Sequence, residues 1–137
     1  PFTSQKQRHP MNKQPHAIVV EDDLFLSEIY SDTLRSIGIH VETLYDGESA
    51  MERFKSATPD LIILDLNLPK YSGIEIFHEL RKRAETSETW VLIVTANPAQ
   101  ASELSDAEIN SQNMIVLTKP ISVDQLDQLA QRLVFQK

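Results

Sequence analysis

Short apolar runs alternate with longer amphipathic segments from residue 17 to the end of the sequence. Four of these runs are continuously apolar and rich in β-branched residues, as is typical of parallel strands covered on both faces. The second run alternates apolar with polar residues, which indicates an edge strand. The predicted strands are residues 17–20, 39–44, 61–64, 91–94 and 114–117.

Five segments with helical spacing separate and follow the strands, and two of them open with a capping box. Ser72 and Glu75 would begin the third helix, and Ser122 and Gln125 would begin the fifth. Because each strand is followed by a helix, right-handed crossovers predict an α/β fold with a doubly wound, five-stranded parallel sheet.

The fourth helix has the least to bury. Asn97 and Pro98 supply a cap and a first-turn proline, but only Leu104 and Ile109 are large apolar residues between positions 99 and 112. Because a helix that buries so little is held loosely, we expect this segment to shift readily.

Length and composition describe one domain with a polar tail. A chain of 137 residues makes a single domain, which we assign to residues 17–137. Residues 1–16 hold three prolines and no periodicity, so we expect disorder there, and we interpret residues 1–3 as a cloning remnant.

The lack of cysteine excludes disulfides and thiolate chemistry. No apolar run approaches the ~18 residues that span a bilayer, so we expect a cytoplasmic protein without a membrane partner.

The net charge is −7 and is unevenly distributed. The first sixteen residues contain three basic and no acidic residues, so residues 17–137 carry −10. Because such a surface repels phosphate backbones, we expect no direct nucleic-acid binding by this domain. The basic run Arg81-Lys82-Arg83 is interpreted as a solvated helix end that complements the helix dipole.

Polar side chains follow the predicted strands at the edge where ligands of doubly wound sheets bind. They are Glu21, Asp22 and Asp23 after the first strand, Asp65 after the third, Thr95 after the fourth, and Thr118 and Lys119 after the fifth. Asp23 opens the first helix, so we interpret it as a cap and not as a ligand.

Carboxylates gathered at one edge require a cation. Two ionised carboxylates about 4 Å apart repel by roughly 4 kcal/mol at an effective dielectric constant of about 20. A cluster of three therefore needs a cation or a bound proton. Oxygen ligands without sulfur or imidazole favour Mg²⁺ or Mn²⁺. With an ammonium and a hydroxyl alongside, the cluster suits a phosphoryl group, which Asp65 could carry as an aspartyl phosphate.

The sequence resembles the receiver domains of two-component response regulators over essentially all of residues 17–137. The matching pieces, in order, are Val19-Val20-Glu21-Asp22-Asp23, Leu64-Asp65-Leu66-Asn67-Leu68-Pro69 with Gly73, Val94-Thr95-Ala96, and Thr118-Lys119-Pro120. The resemblance implies a flavodoxin-like (βα)5 fold with strand order 2-1-3-4-5. It also implies a phosphorylation-dependent signalling switch of a two-component system.

The resemblance assigns roles to the matching residues. Asp65 would accept a phosphoryl group from a phosphohistidine of a sensor histidine kinase or a phosphotransfer protein. Thr95 would bond that group, and Lys119 would pair with it. The ligands of Mg²⁺, or of Mn²⁺ in its place, would be Glu21, Asp22, Asp65 and the backbone carbonyl of Asn67.

Other matching positions are expected to shape the site. Pro69 and Gly73 would form the loop after Asp65, and the bond before Pro120 would be cis. Asn67 and Asn97 would tune the lifetime of the phosphoryl group, although a helix cap explains Asn97 equally well.

The sequence departs from the family pattern at Val116. Receivers usually carry Tyr or Phe at this position, three residues before the lysine, and that aromatic swings inward when the threonine moves. This coupling cannot operate through valine, so the loosely held fourth helix is the expected bistable element. An output domain or downstream protein would bind at the fourth helix, fifth strand and fifth helix. The sequence does not decide whether phosphorylation produces a homodimer.

The motifs leave a few rival functions. A flavodoxin or nicotinamide-binding domain would need a glycine-rich phosphate loop, and the chain has three scattered glycines. A haloacid-dehalogenase-type phosphatase would place its DxD nucleophile on the first strand, where this chain has its acid pair. A degenerate receiver that binds partners without phosphorylation is the main alternative.

We expect no enzyme activity beyond the chain's own phosphoryl transfer and dephosphorylation. Whether the sequence is a stand-alone receiver or part of a larger regulator or hybrid kinase stays open.

Overall fold

The computed structural model describes residues 14–104 and 113–136, and its five strands form one parallel sheet. The strands are β1 (His16–Val20), β2 (His40–Leu44), β3 (Leu61–Asp65), β4 (Trp90–Thr95) and β5 (Met114–Thr118). Their order is β2-β1-β3-β4-β5, which confirms the predicted topology and the edge position of β2.

Each strand lies within one residue of its predicted bounds, and β1 shows why the small differences arise. This strand begins at His16, which we had placed in the tail. The His16 N–H donates to Asp60 Oδ2 at 2.9 Å, and the Pro15 carbonyl accepts from the His40 N–H at 2.8 Å. Together with the pairing of His16 with His40, these contacts extend the ladder beyond the apolar run that predicted it.

In the part of the chain that the structure describes, four α-helices connect and follow the strands. They are α1 (Leu24–Ser36), α2 (Gly47–Arg53), α3 (Gly73–Lys82) and α4 (Val123–Phe135), and α4 is the predicted fifth helix. The predicted caps are present. Asp23 accepts from the Leu26 N–H, and Ser72 and Glu75 form the full capping box. Of the box predicted at Ser122 and Gln125, the structure shows the half in which Ser122 accepts from the Gln125 N–H. Within residues 14–104 and 113–136, every helix is too short or too polar to cross a bilayer.

The predicted fourth helix is described only at its start. Asn97 Oδ1 accepts from the Ala99 N–H, and Pro98 follows the cap as expected. The turn that begins there, Pro98–Glu103, is a 3₁₀ helix. Residues 105–112 of this segment lie outside the described residues.

The sheet separates two hydrophobic cores, because alternate residues of each strand point to opposite faces. One core, which we call the α2–α3 core, contains Ile62, Phe77 and Leu104. The other, the α1–α4 core, contains Leu34 and Leu126. Burial on both faces explains the continuously apolar sequence of the central strands.

The basic run at the end of α3 is less solvated than predicted. Arg81 donates to the carbonyls of Thr86 and Asn113, each at 3.0 Å, and Arg83 donates to the carbonyl of Ala57 at 2.7 Å. The solvated interpretation is therefore wrong for these two arginines. Their long stems let the guanidinium groups reach carbonyls of neighbouring segments, a contact that helical periodicity does not reveal.

Candidate functional site

The carboxyl ends of the parallel strands bring the predicted site residues to one edge of the sheet. Glu21 follows β1, Asp65 ends β3, Thr95 ends β4 and Lys119 follows β5. Glu21, Asp65 and Thr95 are buried, with at most 2% of each residue exposed. Asp22, in contrast, is exposed at the rim. The sheet topology alone therefore gathers two buried carboxyl groups, a hydroxyl and an ammonium.

The Glu21 carboxyl is held between a backbone amide and the ammonium of Lys119. Its Oε2 accepts from the Asp23 N–H at 3.1 Å, and its Oε1 lies 2.8 Å from Lys119 Nζ. Burial raises the pKa of Glu21 to about 7, although Lys119 and the Asp23 N–H act to lower it. The nearby charge of Asp65 raises this pKa further.

Asp65 shares the same ammonium. Its Oδ1 accepts from the Asn67 N–H at 3.0 Å, and its Oδ2 lies 3.2 Å from Lys119 Nζ. Burial alone would lower the pKa of Lys119, but the contacts with Glu21 and Asp65 outweigh it, so the pKa is raised. The Lys119 N–H donates to the Thr95 carbonyl at 2.8 Å, and the bond before Pro120 is cis.

Three carboxyl groups are close enough to share a metal ion. Glu21, Asp22 and Asp65 each offer one oxygen, and these oxygens lie within 4.8 Å of one another. An all-oxygen donor set suits a hard cation such as Mg²⁺. Asp23 instead caps α1 through Oδ1, as predicted.

The Thr95 hydroxyl is engaged by residues that follow it in the chain. Its oxygen lies 3.1 Å from both the Asn97 carbonyl and Gln100 Oε1, and it accepts from the Asn97 N–H at 3.0 Å. Gln100 Nε2 in turn donates to Asn67 Oδ1 at 2.7 Å. Our sequence analysis missed Gln100. The only signal is an amide residue one turn beyond the Asn97 cap, which is not specific.

The loop after Asp65 is shaped by close backbone contacts. A Cβ atom on Gly73 would lie 2.3 Å from the Asp65 carbonyl oxygen, and the Gly73 N–H donates to the Leu66 carbonyl at 3.0 Å. The Pro69 carbonyl accepts from the Gly47 N–H at 2.9 Å. These contacts support the structural roles expected of Pro69 and Gly73.

Val116 lies in the middle of β5, opposite Ile93 of β4, and packs against the α2–α3 core. It is half-buried. Its branched side chain fills a place on one face of the sheet and has no ring that could exchange between inward and outward positions.

Comparisons with known proteins agree with this geometry. A family model described as the response regulator receiver domain matches residues 17–131. The phosphate regulon transcriptional regulatory protein PhoB of Rhizobium meliloti (strain 1021) is 34% identical over 112 residues, which cover 82% of this chain and 48% of that protein. The probable transcriptional regulatory protein TcrX of Mycobacterium tuberculosis is 32% identical over 109 residues, covering 80% and 45%. The chain thus spans about half the length of these curated relatives.

Two solved structures share the fold over nearly their whole length. The chemotaxis response regulator CheY4 of Vibrio cholerae has a TM-score of 0.76 at 27% identity, covering 88% of this chain and 99% of its own. The receiver domain of the sensor histidine kinase PA1611 of Pseudomonas aeruginosa PAO1 was solved with a magnesium ion coordinated in its active site cleft. It has a TM-score of 0.76 at 25% identity, covering 89% and 98%.

The resemblance found in the motifs is therefore confirmed by the fold, by the family model and by relatives above 30% identity. The chain belongs to the receiver domains of two-component response regulators.

Proposed function

We propose that this receiver is a phosphorylation-dependent switch in which Asp65 accepts a phosphoryl group and Mg²⁺ binds at the acidic cluster. The observation that carries the proposal is the setting of Asp65. It is a buried carboxyl group that lies 3.2 Å from the Lys119 ammonium and shares a possible metal site with Glu21 and Asp22. Paired carboxylates and a fixed ammonium provide the charge that phosphoryl transfer requires.

The transfer exchanges one bond of phosphorus for another. A carboxylate oxygen of Asp65 forms a bond to phosphorus as the P–N bond of the donor's phosphohistidine breaks, and the electron pair of that bond returns to the imidazole. In this proposal Lys119 pairs with the phosphoryl oxygens and the Thr95 hydroxyl donates to one of them. Catalysis then depends on positioning and charge, without a substrate pocket.

The acidic cluster holds the metal in this proposal. Glu21, Asp22 and Asp65 supply carboxylate oxygens, and the backbone carbonyl of Asn67 supplies a further ligand. When bound, Mg²⁺, or Mn²⁺ in its place, neutralises the carboxylates and the transferring oxygens. The oxygen-only donor set and the magnesium ion in the PA1611 receiver support this part.

The partners belong to the proposal as well. The donor is a sensor histidine kinase or a phosphotransfer protein, and the chain catalyses no reaction beyond its own phosphoryl transfer and dephosphorylation. PhoB and TcrX are transcriptional regulators, whereas PA1611 is a sensor histidine kinase, so receivers of this kind occur in both settings. An output domain, a downstream protein or a second copy of this chain would read the phosphorylated form. A cytoplasmic location stays a prediction.

Acetyl phosphate with Mg²⁺ tests the proposal directly. We expect the wild type to gain one phosphoryl group, seen by intact-mass spectrometry as about 80 Da. Asp65→Asn should gain none, because an amide oxygen is a poor nucleophile. Asp32→Asn, a matched change on the exposed face of α1, should label like the wild type.

The other outcomes identify the rival functions. Labelling of Asp65→Asn equal to wild type would place the acceptor elsewhere. A wild type that never labels, from acetyl phosphate or from a phosphohistidine donor, would favour the degenerate receiver. Turnover of a phosphomonoester would favour a phosphatase.

A further inference from the structure

The Gln100 side chain joins two separate segments of the site. Its Oε1 lies 3.1 Å from the hydroxyl of Thr95 at the end of β4, and its Nε2 donates to Asn67 Oδ1, in the loop after β3, at 2.7 Å. Gln100 also lines an open cleft of about 300 Å³ together with Asp22 and Asn67. One amide group therefore bridges the end of β4 and the loop after β3.

These contacts compete with the role that the proposed function gives to Thr95. A threonine hydroxyl has a single hydrogen to donate. In this structure its acceptors are Gln100 Oε1 and the Asn97 carbonyl, and the hydroxyl oxygen itself accepts from the Asn97 N–H. A phosphoryl oxygen on Asp65 would need the same hydrogen. The contact between Thr95 and Gln100 and the contact between Thr95 and a phosphoryl group therefore compete for one hydrogen.

We infer that Gln100 is a positioning residue that holds Thr95 away from the phosphoryl position, so that its release is part of phosphorylation. The inference rests on the proposed function. Gln100 acts through Thr95 and Asn67 and contacts no reacting atom. It lies five residues beyond Thr95, outside the four motifs that identify the family.

Release of Gln100 also supplies a route for the signal in a chain that has Val116 in place of the usual aromatic. Gln100 belongs to the turn Pro98–Glu103, and its amide ties that turn to Asn67. Once the hydrogen bonds of the Gln100 amide are broken, the turn is held by the Asn97 cap and by Leu104, which is buried in the α2–α3 core. A change at Thr95 can thereby shift the turn without an aromatic in β5.

Substitution of Gln100 by alanine and by methionine tests the inference. Gln100→Met keeps the length of the side chain but loses both hydrogen bonds, so it separates bonding from packing. We expect both variants to take a phosphoryl group from acetyl phosphate and Mg²⁺ about threefold to tenfold faster than the wild type, the factor expected for one neutral hydrogen bond. Gln128→Ala, an exposed glutamine of α4, is the matched control and should label at the wild-type rate.

A second readout follows Thr95 without phosphorylation. In Mg²⁺ alone, NMR should show the Thr95 methyl and the Asn97 amide shifted in both Gln100 variants, towards their positions in the phosphorylated wild type. In an Asn67→Ala background, the effect of Gln100→Ala on the rate should be smaller than in the wild type, because the two residues share a contact.

The outcomes separate this inference from the proposed function. If the wild type labels at Asp65 and both Gln100 variants label at the same rate or more slowly, this inference alone is wrong. If Gln100→Ala changes the labelling rate and Gln100→Met does not, the effect comes from side-chain packing and not from hydrogen bonds. That result would also overturn the inference. If the wild type takes no phosphoryl group, the proposed function fails and the inference fails with it.

Discussion

Two opposing effects act on the single carboxyl group of Glu21. It is almost completely buried, which disfavours its charged form, yet it lies 2.8 Å from the Lys119 ammonium. Burial prevails, and the pKa of Glu21 rises from 4.5 to about 7. The site therefore holds a carboxyl group that gives up its proton near neutral pH, where a metal ion can take the proton's place.

This pKa makes a prediction about stability in metal-free buffer. The folded protein keeps the Glu21 proton up to about pH 7, whereas the unfolded chain loses it near 4.5, so folding is coupled to proton binding between these values. The contribution is fully present below pH 4.5 and is lost as pH rises to about 7. We expect the free energy of unfolding of the wild type, measured with urea and EDTA, to fall relative to that of Glu21→Gln across this range.

The control for this measurement is Glu48→Gln, an exposed change in α2. Its pH dependence should run parallel to that of the wild type. Addition of Mg²⁺ above pH 7 should restore stability to the wild type and to this control, and less to Glu21→Gln. Identical pH profiles for wild type and Glu21→Gln would show that burial does not hold the proton on Glu21.

At the scale of elements, the first turn of α3 is pressed against the end of β3, where Asp65 lies. A Cβ on Gly73 would meet the Asp65 carbonyl oxygen at 2.3 Å and the Leu66 Cα at 2.7 Å, and backbone atoms cannot swing aside. The same first turn is fixed by the capping box of Ser72 and Glu75. The position of the helix and the position of Asp65 are thus coupled.

Gly73→Ala should therefore affect both stability and the site. We expect a loss of about 1–3 kcal/mol in the free energy of unfolding, as for other overpacked positions, and slower labelling of Asp65 by acetyl phosphate. The comparison is Gly38→Ala in the turn before β2, where φ is +94° and no atom lies within 4 Å of an added Cβ. Backbone strain there should cost about 1–2 kcal/mol while labelling stays at the wild-type rate. Equal labelling by both variants would contradict the coupling of α3 to Asp65.

Elements defined by local chemistry were predictable from the sequence, and contacts between distant side chains were not. The strands and the caps at Asp23, Ser72 and Ser122 depend on residues within a few positions of one another, so periodicity and cap spacing suffice. The gathering of Glu21, Asp65 and Lys119 followed from parallel topology, which places strand ends at one edge. The hydrogen bond of Gln100 with Asn67 depends on how two loops face each other, and no local pattern encodes that.

The same limit explains the arginines at the end of α3. Their place in the last turn is visible in the sequence, and it suggested solvation. The guanidinium of Arg81 reaches the Asn113 carbonyl, 32 positions away, which only the assembled fold brings near. The spacing of residues along the helix does not encode such a contact.

For the whole molecule, the decisive feature is that the two cores share one set of strands. Ile62 packs into the α2–α3 core and its neighbour Ile63 into the α1–α4 core, although one strand carries both. Neither layer of helices can lose its packing without exposing one face of the same sheet. The two cores should therefore unfold together.

We predict a single cooperative unfolding transition. A cavity in either core should therefore destabilise the whole domain. Ile62→Ala and Ile63→Ala should each lower the free energy of unfolding by about 2–5 kcal/mol, because each leaves a cavity in a fully buried position. Trp90 packs against the α1–α4 core, so its fluorescence monitors that side, while circular dichroism monitors all helices. In urea, the two signals should give coincident curves for both variants. A fluorescence midpoint that stays at the wild-type value in Ile62→Ala, while the helical signal moves, would mean that the two faces of the sheet unfold independently.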